Sequence, residues 1–374
     1  MLFTLNLLLF FSQYSIYCDD NRYDVDKIPV KLKSEGGAVI RIKEEIFKVE
    51  DATDAIYQVK YAITIFNKEE QHFGALKLSY DNFRTIEELE GTIYNSNGDI
   101  IRELNDSEVK DYSAFDGVSI YTDSRIKLVE LYSNEFPYTV EFFYEYSFDG
   151  YLNWPTWYSR EYLDAVEYTS FKVVTPSNYS LRYWCNFDDV KPIKNKVDDK
   201  FEYLWQAENL PKLVYDAVGE DIEDIATIVR IAPSDFEIDG YPGNMNSWKT
   251  FGLWFYNLYG DKNNLPGSAI NEIEAKANSV EGMSQKIDVL YKYMQSKTHY
   301  VSVQLGIGGW QPFGADYVYN NGYGDCKALS NFMVSILQTA GIMAFPVLIN
   351  SGQNRTPLVT EFPSNQFNHA IVQR

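Results

Sequence analysis

Cysteine and histidine are scarce in this chain of 374 residues, which holds only three of each. The cysteines are Cys18, Cys185 and Cys326, an odd number, and no two of them form a CxxC motif. A disulfide framework or a structural zinc site needs more of these residues at short, regular spacings. We therefore predict no disulfide scaffold, no structural metal and no cofactor.

Positive charge is also in short supply, since 33 Lys and Arg stand against 53 Asp and Glu, for a net charge of -20. A protein that binds nucleic acid through its phosphates needs a basic surface that displaces counterions. The composition therefore excludes nucleic acid as the main partner, and it predicts a soluble, self-repelling surface.

Long hydrophobic runs are missing as well. The N-terminal run from Leu2 to Phe11 is too short to cross a bilayer, so we predict no transmembrane span. Its length suits the apolar core of an export signal, and we expect residues 1–17 to be a signal peptide. An apolar strand packed on the first domain is the alternative. Cys18 stands where a lipid-modified cysteine would stand, although the Ser-Ile-Tyr before it is a weak match.

What the chain has in plenty is bulky apolar mass: hydrophobic residues make up 45% and aromatic residues 16%. This is enough to build the cores of two or three domains. In YTVEFFYEYSF the side chains alternate with the two-residue period of a half-buried strand. The face predicted to be buried contains Tyr138, Val140, Phe142, Tyr144 and Tyr146.

Further strand patterns recur at short intervals between residues 38 and 209. GTIYNSNGDIIREL predicts a hairpin with its turn at Asn97, Gly98 and Asp99. Many short strands separated by turn signals are typical of a β-sandwich, which we predict for residues 38–209. Residues 210–245 lose the alternation and contain Pro211 and Pro233, so we place a domain junction there.

After residue 245 the hydrophobic period becomes helical. Two predicted helical stripes are Trp248, Phe251, Phe255 and Leu258, and Ile287, Leu290, Tyr291 and Met294. The glycine-rich and aromatic segment 298–326 predicts a long shaped loop, and MAFPVLIN and NHAIVQR predict strands. Helices beside a short sheet indicate an α+β domain over residues 246–374.

A cysteine at the start of a helix is the first sign of chemistry. The apolar face of NNGYGDCKALSNFMVSILQTAG marks a helix that Asp325 can cap and Gly341 can end. Cys326 then lies at the first helical position, where the dipole and free N–H groups favour a thiolate. The alternative is that Cys326 is a small buried hydrophobic residue.

A histidine follows at the head of a predicted strand, in NQFNHAIVQR. A cysteine and a distant histidine are the minimum for a thiolate nucleophile and its general base. Cys326 and His369 are therefore the candidate catalytic residues. His72 and His299 carry no motif, and we expect both to be structural.

These residues resemble the transglutaminase-like superfamily. The match is carried by Gly-Asp-Cys at Gly324–Cys326 and by Phe-Asn-His at Phe367–His369, and it extends over residues 291–373. The architecture is similar to the bacterial exported branch, in which an N-terminal β domain of unknown function precedes the transglutaminase-like core. The resemblance implies a papain-like core and a protein of the periplasm or cell surface.

The resemblance also implies a reaction, in which Cys326 attacks a carboxamide and His369 moves the proton. Amide or peptide hydrolysis is favoured over cross-linking, and the substrate class is a peptide, protein or amide-bearing component of the cell envelope. An oxyanion donor is expected upstream of the cysteine. Gln304 is the candidate, with Gln311 and Trp310 behind it.

One family feature is not met. The family's third residue, an Asp that orients the histidine, lies on the strand after His369, and Asn368 would point the other way along a strand. We expect the sequence to be truncated after the histidine. The other hypothesis is a catalytically impaired protein that binds a peptide or glycan. Its binding surface would be GYLNWPTWYSREY, with Tyr151, Trp154, Trp157, Tyr158 and Tyr162, unless these residues are core.

Overall fold

A computed structural model describes the chain over residues 22–33, 37–114, 119–150, 152–160, 164–213, 222–352 and 357–374. The predicted signal peptide, Cys18, Tyr151 and Tyr162 lie outside these residues. Strand accounts for 41% of the structure and helix for 27%, so the predicted strand-rich character is confirmed. Within the described ranges, no helix has both the length and the hydropathy that a bilayer crossing requires.

The N-terminal part of the chain is built mainly of strands. In chain order they are β1 (Ala38–Val49), β2 (Asp54–Ile65), β3 (Ala75–Tyr80), β4 (Arg84–Tyr94), β5 (Ile100–Glu103), β6 (Lys110–Ser113), β7 (Ser119–Thr122), β8 (Arg125–Glu130), β9 (Tyr138–Asp149), β10 (Thr156–Tyr158), β11 (Ala165–Pro176), β12 (Arg182–Cys185), β13 (Ile193–Val197), β14 (Lys200–Leu210), β15 (Ile228–Ala232), β16 (Asp235–Ile238) and β17 (Tyr241–Asn244). The short helices are α1 (Val30–Lys33) and α2 (Ile222–Ile225), and 3₁₀ turns occur at Val25–Lys27, Lys68–Gly74 and Asp106–Glu108.

One large sheet organises these strands, in the order β13–β14–β11–β1–β2–β9–β4–β5. Strands β1 and β11 are parallel and the other neighbours are antiparallel. Four residues of the face predicted to be buried in β9, Tyr138, Val140, Phe142 and Tyr146, are buried. Tyr144 of that face is only partly buried and Thr139 of the other face is fully buried, so the alternation holds in part. The predicted hairpin is formed by β4 and β5. Gly98 in its turn has φ +87°, a conformation that glycine adopts without strain.

Two smaller sheets, β3–β8–β6 and β10–β15–β12, pack on the large one. Trp157 of β10 joins Phe47 and Phe171 of the large sheet in one core cluster. Trp154 belongs to the same cluster. Trp154 is 8% exposed and Trp157 is 1% exposed. The hypothesis that they form a binding surface is therefore wrong, because their rings fill the space between the sheets.

Residues 210–245, expected as a domain junction, carry regular structure in the part that is described. Strand β15 lies between β10 and β12, and β16 pairs with β17. The turn between β16 and β17 has positive φ at Asp239 (51°) and Gly240 (78°), which explains the glycine there. The position of the boundary between the two predicted domains stays a prediction.

The C-terminal part of the chain holds the longer helices. Its elements are α3 (Trp248–Tyr259), α4 (Gly267–Asn278), α5 (Met283–Lys297), β18 (His299–Tyr300), β19 (Ser302–Gln304), α6 (Ala315–Asn321), β20 (Tyr323–Gly324), α7 (Cys326–Thr339), β21 (Phe345–Ile349) and β22 (His369–Gln373), with 3₁₀ turns at Gly260–Asn263 and Gly306–Gly309. Helices α4 to α7 share one core, which includes Ile273, Leu290, Val318 and Phe332. The predicted strands of residues 343–350 and 368–374 pair as β21 and β22.

Two local predictions in this part are wrong. Tyr291 was placed on the buried stripe of its helix but is 47% exposed, and Tyr293 is buried in its place. Tyr293 turns toward α4, where its hydroxyl donates a 2.9 Å hydrogen bond to Glu272. The predicted loop of residues 298–326 contains β18, β19, α6 and β20. These elements are too short to produce a clear period, and β19 pairs with β7, a partner distant in sequence.

Candidate active site

Cys326 is the first residue of α7, as the sequence predicts. Asp325 is the N-cap, and its Oδ1 accepts a 2.9 Å hydrogen bond from the N–H of Ala328. The chain enters the helix through Gly322, which has φ +74°. Cys326 is thus the first residue of a helix of 14 residues, beside the N–H groups of the first turn, which have no partner within the helix.

His369 starts β22, and α7 packs directly against this strand. The Oγ of Ser330 on α7 donates a 3.2 Å hydrogen bond to the carbonyl of Ala370. Cys326 and His369 both line one cavity of about 460 Å³. The fold therefore brings together the two residues that sequence analysis selected as nucleophile and base.

Both parts of the chain line this cavity. The lining residues are Asp81, Phe83, Asp123, Ser124, Phe255, Tyr300, Ser302, Gln304, Gly306, Gly309, Trp310, Cys326, Lys327, Leu348, Asn365, Phe367, Asn368, His369 and Ala370. Asp123 Oδ2 accepts a 2.9 Å hydrogen bond from the N–H of Gly306, beside the parallel pairing of β7 with β19. Sequence analysis missed the N-terminal wall because no motif marks these residues.

Gln304 lines the cavity, but its side chain is already engaged. Its Nε2 donates to Ser302 Oγ and to Asp325 Oδ2, each at 3.2 Å, and its Oε1 accepts from Lys327 Nζ at 3.4 Å. The amide thus supports the cap of α7. Its role as the oxyanion donor stays a prediction, and that role requires the amide to leave these partners.

The two other donor candidates differ in their surroundings. Gln311 donates to the hydroxyl of Tyr241 at 3.4 Å and is not part of the cavity lining. Trp310 lines the cavity, and its ring packs against Phe255 with centroids 6.2 Å apart. Among the described residues, no hydrogen-bond partner is found for its indole N–H. Trp310 is therefore the better-placed side-chain donor of the two.

A buried ion pair lies behind the cysteine. Asp325 and Lys327 are 3% and 6% exposed, and Lys327 Nζ contacts Asp325 Oδ2. Buried charges of this kind are stable only when they are paired and hydrogen-bonded. Together with Gln304, the pair fixes the backbone that carries Cys326.

Two tyrosines that no motif singled out lie beside Cys326. Tyr300 lines the cavity with Cys326, and burial, followed by the charges of Cys326 and Asp325, raises the pKa of Tyr300. Burial, and then the same two charges, raise the pKa of Tyr259. Both hydroxyls therefore stay protonated at neutral pH and can donate hydrogen bonds.

The neighbour of the histidine does not orient it. Asn368 Nδ2 donates to the carbonyl of Ser351, and its Oδ1 accepts from the N–H of Ser351, both at 2.8 Å. Its amide thus secures the chain beyond β21 through Ser351. Within the part of the chain that the structure describes, no carboxylate is hydrogen-bonded to the ring of His369, and no group of His, Cys, Asp and Glu is arranged to hold a metal.

Comparisons with known proteins address the fold and the N-terminal part. Residues 51–214 match the family model of DUF3857, a domain of unknown function with a solved structure. A search of curated proteins found no match. A crystal structure from Parabacteroides distasonis, named as a candidate protease, aligns with a TM-score of 0.67 and 14% identity, over 90% of this chain and 65% of that one.

An M1 zinc metallopeptidase from Deinococcus radiodurans aligns over 56% of this chain and 46% of that one, with 10% identity and a TM-score of 0.26, too low to support an inference. The chain spans about two thirds of the length of the Parabacteroides protein. At 14% identity that match shows a common fold and no more. The chain therefore contains a region similar to DUF3857 and shares the fold of the Parabacteroides protein over most of its length.

Proposed function

We propose that this protein is a cysteine-dependent amide hydrolase with a transglutaminase-like, papain-like C-terminal core. Cys326 is the nucleophile and His369 the general base. The observation that carries this proposal is that the two side chains line one cavity, one from the start of α7 and the other from the start of β22. The resemblance of residues 291–373 to that superfamily supports it, as does the fold shared with a candidate protease.

The proposed reaction has two steps. His369 takes the thiol proton of Cys326, and the sulfur attacks the carbonyl carbon of an amide. The C–N bond then breaks as His369 gives that proton to the leaving amine. His369 then takes a proton from water, which attacks the thioester and releases the carboxylic acid. An amine in place of the water would give cross-linking, but the proposal takes water as the acceptor.

The negative oxygen of the intermediate needs donors that are already in place. The backbone N–H of Cys326 belongs to the first turn of α7, where N–H groups have no partner within the helix. The indole N–H of Trp310 is the side-chain donor in this proposal, and Gln304 is the alternative.

Further parts of the proposal concern organisation and location. Residues 38–209 form a β-sandwich domain, residues 210–245 connect it to the core, and residues 246–374 form the core. The protein is exported to the periplasm or cell surface, where its substrate is a peptide, protein or other amide-bearing component of the cell envelope. The contribution of Asp81 and Asp123 to the cavity means that the substrate contacts both domains.

A direct test uses p-nitrophenyl acetate, an activated ester that acylates a reactive thiol. We expect a burst of nitrophenolate and an acetyl adduct on Cys326 by peptide mass spectrometry. The burst should be lost in Cys326→Ala and kept in Cys185→Ala, the matched control. Acetylation of Cys185 in place of Cys326, or a burst that survives in Cys326→Ala, would contradict the proposal.

A second candidate function is a catalytically impaired protein that holds a peptide or glycan. It is favoured by one observation, the lack of a carboxylate on the His369 ring within the described residues. The burial of Trp154 and Trp157 removes the aromatic surface first considered for it. Ligand binding that is the same in wild type and Cys326→Ala, with no adduct on Cys326, would support this candidate.

A further inference from the structure

A second cavity opens next to the candidate active site. It has a volume of about 330 Å³ and is lined by α3 and β21. Three residues, Phe255, Leu348 and Phe367, line both this cavity and the one that contains Cys326 and His369. The two cavities are therefore adjacent, and these three side chains stand between them.

We infer that this second cavity holds a large apolar side chain of the substrate, with an aromatic side chain preferred. The inference rests on the proposed function and names the substrate class for that site. Ligand pockets have volumes of about 300 to 1,000 Å³, and an apolar protein cavity of about 150 Å³ binds benzene. The volume of about 330 Å³ is thus sufficient for one aromatic side chain.

The lining is suited to an apolar group. Phe251, Phe255 and Leu348 form walls without charge, and Phe367 stands at the junction with the active-site cavity. Tyr256 and Phe345, at the open side of the lining, are 66% and 51% exposed. An aromatic group entering this space would be partly removed from water and would meet other rings, both of which stabilise binding.

Gly252 keeps the cavity open. It lies inside α3, where glycine is less stable than alanine, and its φ is not in the positive region that only glycine favours. A Cβ at this position would meet no atom within 4 Å. Neither backbone conformation nor crowding requires a glycine here, and what its missing side chain provides is space in the cavity.

Tyr259 lines the cavity, but its hydroxyl oxygen is buried and is not reached from the cavity. The residue is 6% exposed, and its hydroxyl has no hydrogen-bond partner among the described residues. Buried hydroxyls are nearly always hydrogen-bonded. By contrast, Tyr293 and Tyr319 both donate to Glu272. Tyr259 therefore serves the cavity as an apolar ring.

The test uses peptidyl vinyl sulfones, which need no leaving group. The thiolate of Cys326 adds to the β-carbon, and the α-carbon takes a proton from His369 or water. Two pairs of probes are compared. In the first pair the residue next to the sulfone is Phe or Ser, and in the second pair the residue after that is Phe or Ser. We expect the Phe probe of at least one pair to inactivate the wild type roughly tenfold to a hundredfold faster than its Ser partner.

Variants at Gly252 test whether the preference for Phe comes from the second cavity. Gly252→Phe fills the space and should bring the two probes of the pair to similar rates. Gly252→Ala, the matched control, leaves most of the space open and should keep the preference. If circular dichroism shows that Gly252→Phe is unfolded, Gly252→Leu replaces it as the variant that fills the cavity. Equal rates for both pairs in the wild type, or a preference that survives in the filled variant, would overturn the inference.

Iodoacetamide separates this inference from the proposed function, because it is too small to reach the second cavity from Cys326. If Cys326 reacts with iodoacetamide no faster than a free thiol, the proposed function fails. If Cys326 reacts fast but the Phe probes have no advantage, the proposed function stands and the inference about the second cavity is wrong.

Discussion

The hydroxyl of Ser330 donates a 3.2 Å hydrogen bond to the carbonyl of Ala370. Ser330 lies about one helical turn after Cys326 on α7, and Ala370 directly follows His369 on β22. This bond therefore joins the element that carries the proposed nucleophile to the element that carries the proposed base, close to both.

Ser330→Ala should weaken this connection. We expect a loss of about 1 kcal/mol in the free energy of unfolding, since a buried carbonyl loses its donor, and a slower burst with p-nitrophenyl acetate. Ser335→Ala is the control, because Ser335 is also buried on α7 but donates only to Asn331 of the same helix. A burst that slows equally in both variants would mean that Ser330 has no special role in positioning His369.

Cys326 should react faster than Cys185 with iodoacetamide at neutral pH. Cys326 lies at a helix N-terminus, whereas burial raises the pKa of the Cys185 thiol. The rates can be compared in one sample by peptide mass spectrometry over a range of pH. Equal rates, or a faster Cys185, would remove the physical basis for calling Cys326 the nucleophile.

Trp310→Phe should slow acylation by p-nitrophenyl acetate if the indole N–H holds the negative oxygen. Loss of one such donor typically lowers the rate about 10²- to 10³-fold. Trp184→Phe is the control, since the Trp184 indole donates to Glu361 at 3.0 Å and is outside the cavity lining. A normal rate in Trp310→Phe would mean that the indole N–H is not the donor. Gln304 would then be the candidate donor, and Gln304→Glu would be measured in the same way.

Tyr259→Phe should stabilise the protein, by up to about 1 kcal/mol, because it removes a buried hydroxyl that has no partner among the described residues. Tyr293→Phe should do the opposite, because the Tyr293 hydroxyl donates to Glu272 at 2.9 Å. Thermal unfolding of the two variants beside the wild type measures both effects. A destabilised Tyr259→Phe would show that the hydroxyl has a partner in solution.

Glu272 should stabilise the C-terminal helices in a pH-dependent way. Lys297, Tyr293 and Tyr319, in that order, lower the pKa of Glu272 from its ordinary value of 4.5. A lowered pKa in the folded state gives stability that is present above pH 4.5 and is lost as the pH falls through the folded-state value. Urea unfolding should therefore show Glu272→Gln less stable than wild type at pH 7, with the difference shrinking below pH 4.5. A difference that is constant with pH would contradict the ionic origin.

The sequence predicts the start of α7 and the strand of His369 because both depend on local signals. An Asp cap and an apolar face at helical spacing suffice to place Cys326 at the first helical position. The partners of Gln304 could not be predicted in this way. They depend on how β19 approaches the cap of α7, which is a contact between separate segments.

The same limit explains the other differences. Trp157 is aromatic and flanked by polar residues, and only the packing of β10 on the large sheet shows that it is core. Asp123 and Tyr300 reach the cavity through pairings of short strands, β7 with β19 and β18 with β20, whose partners are distant in sequence. Hydrophobic periodicity and helix-capping residues carry no information on which distant strands pair.

The pairing of β7 with β19 also bears on how such a protein can evolve. A strand of the N-terminal part completes the edge that carries Gln304, and Asp123 beside it accepts a hydrogen bond from Gly306. The C-terminal part of the chain, without the N-terminal strands, would expose that edge to other chains and would lose one wall of the cavity. Joining the C-terminal part to a different N-terminal sequence would then require a new partner strand for β19. Selection should therefore keep the two segments together as one inherited unit.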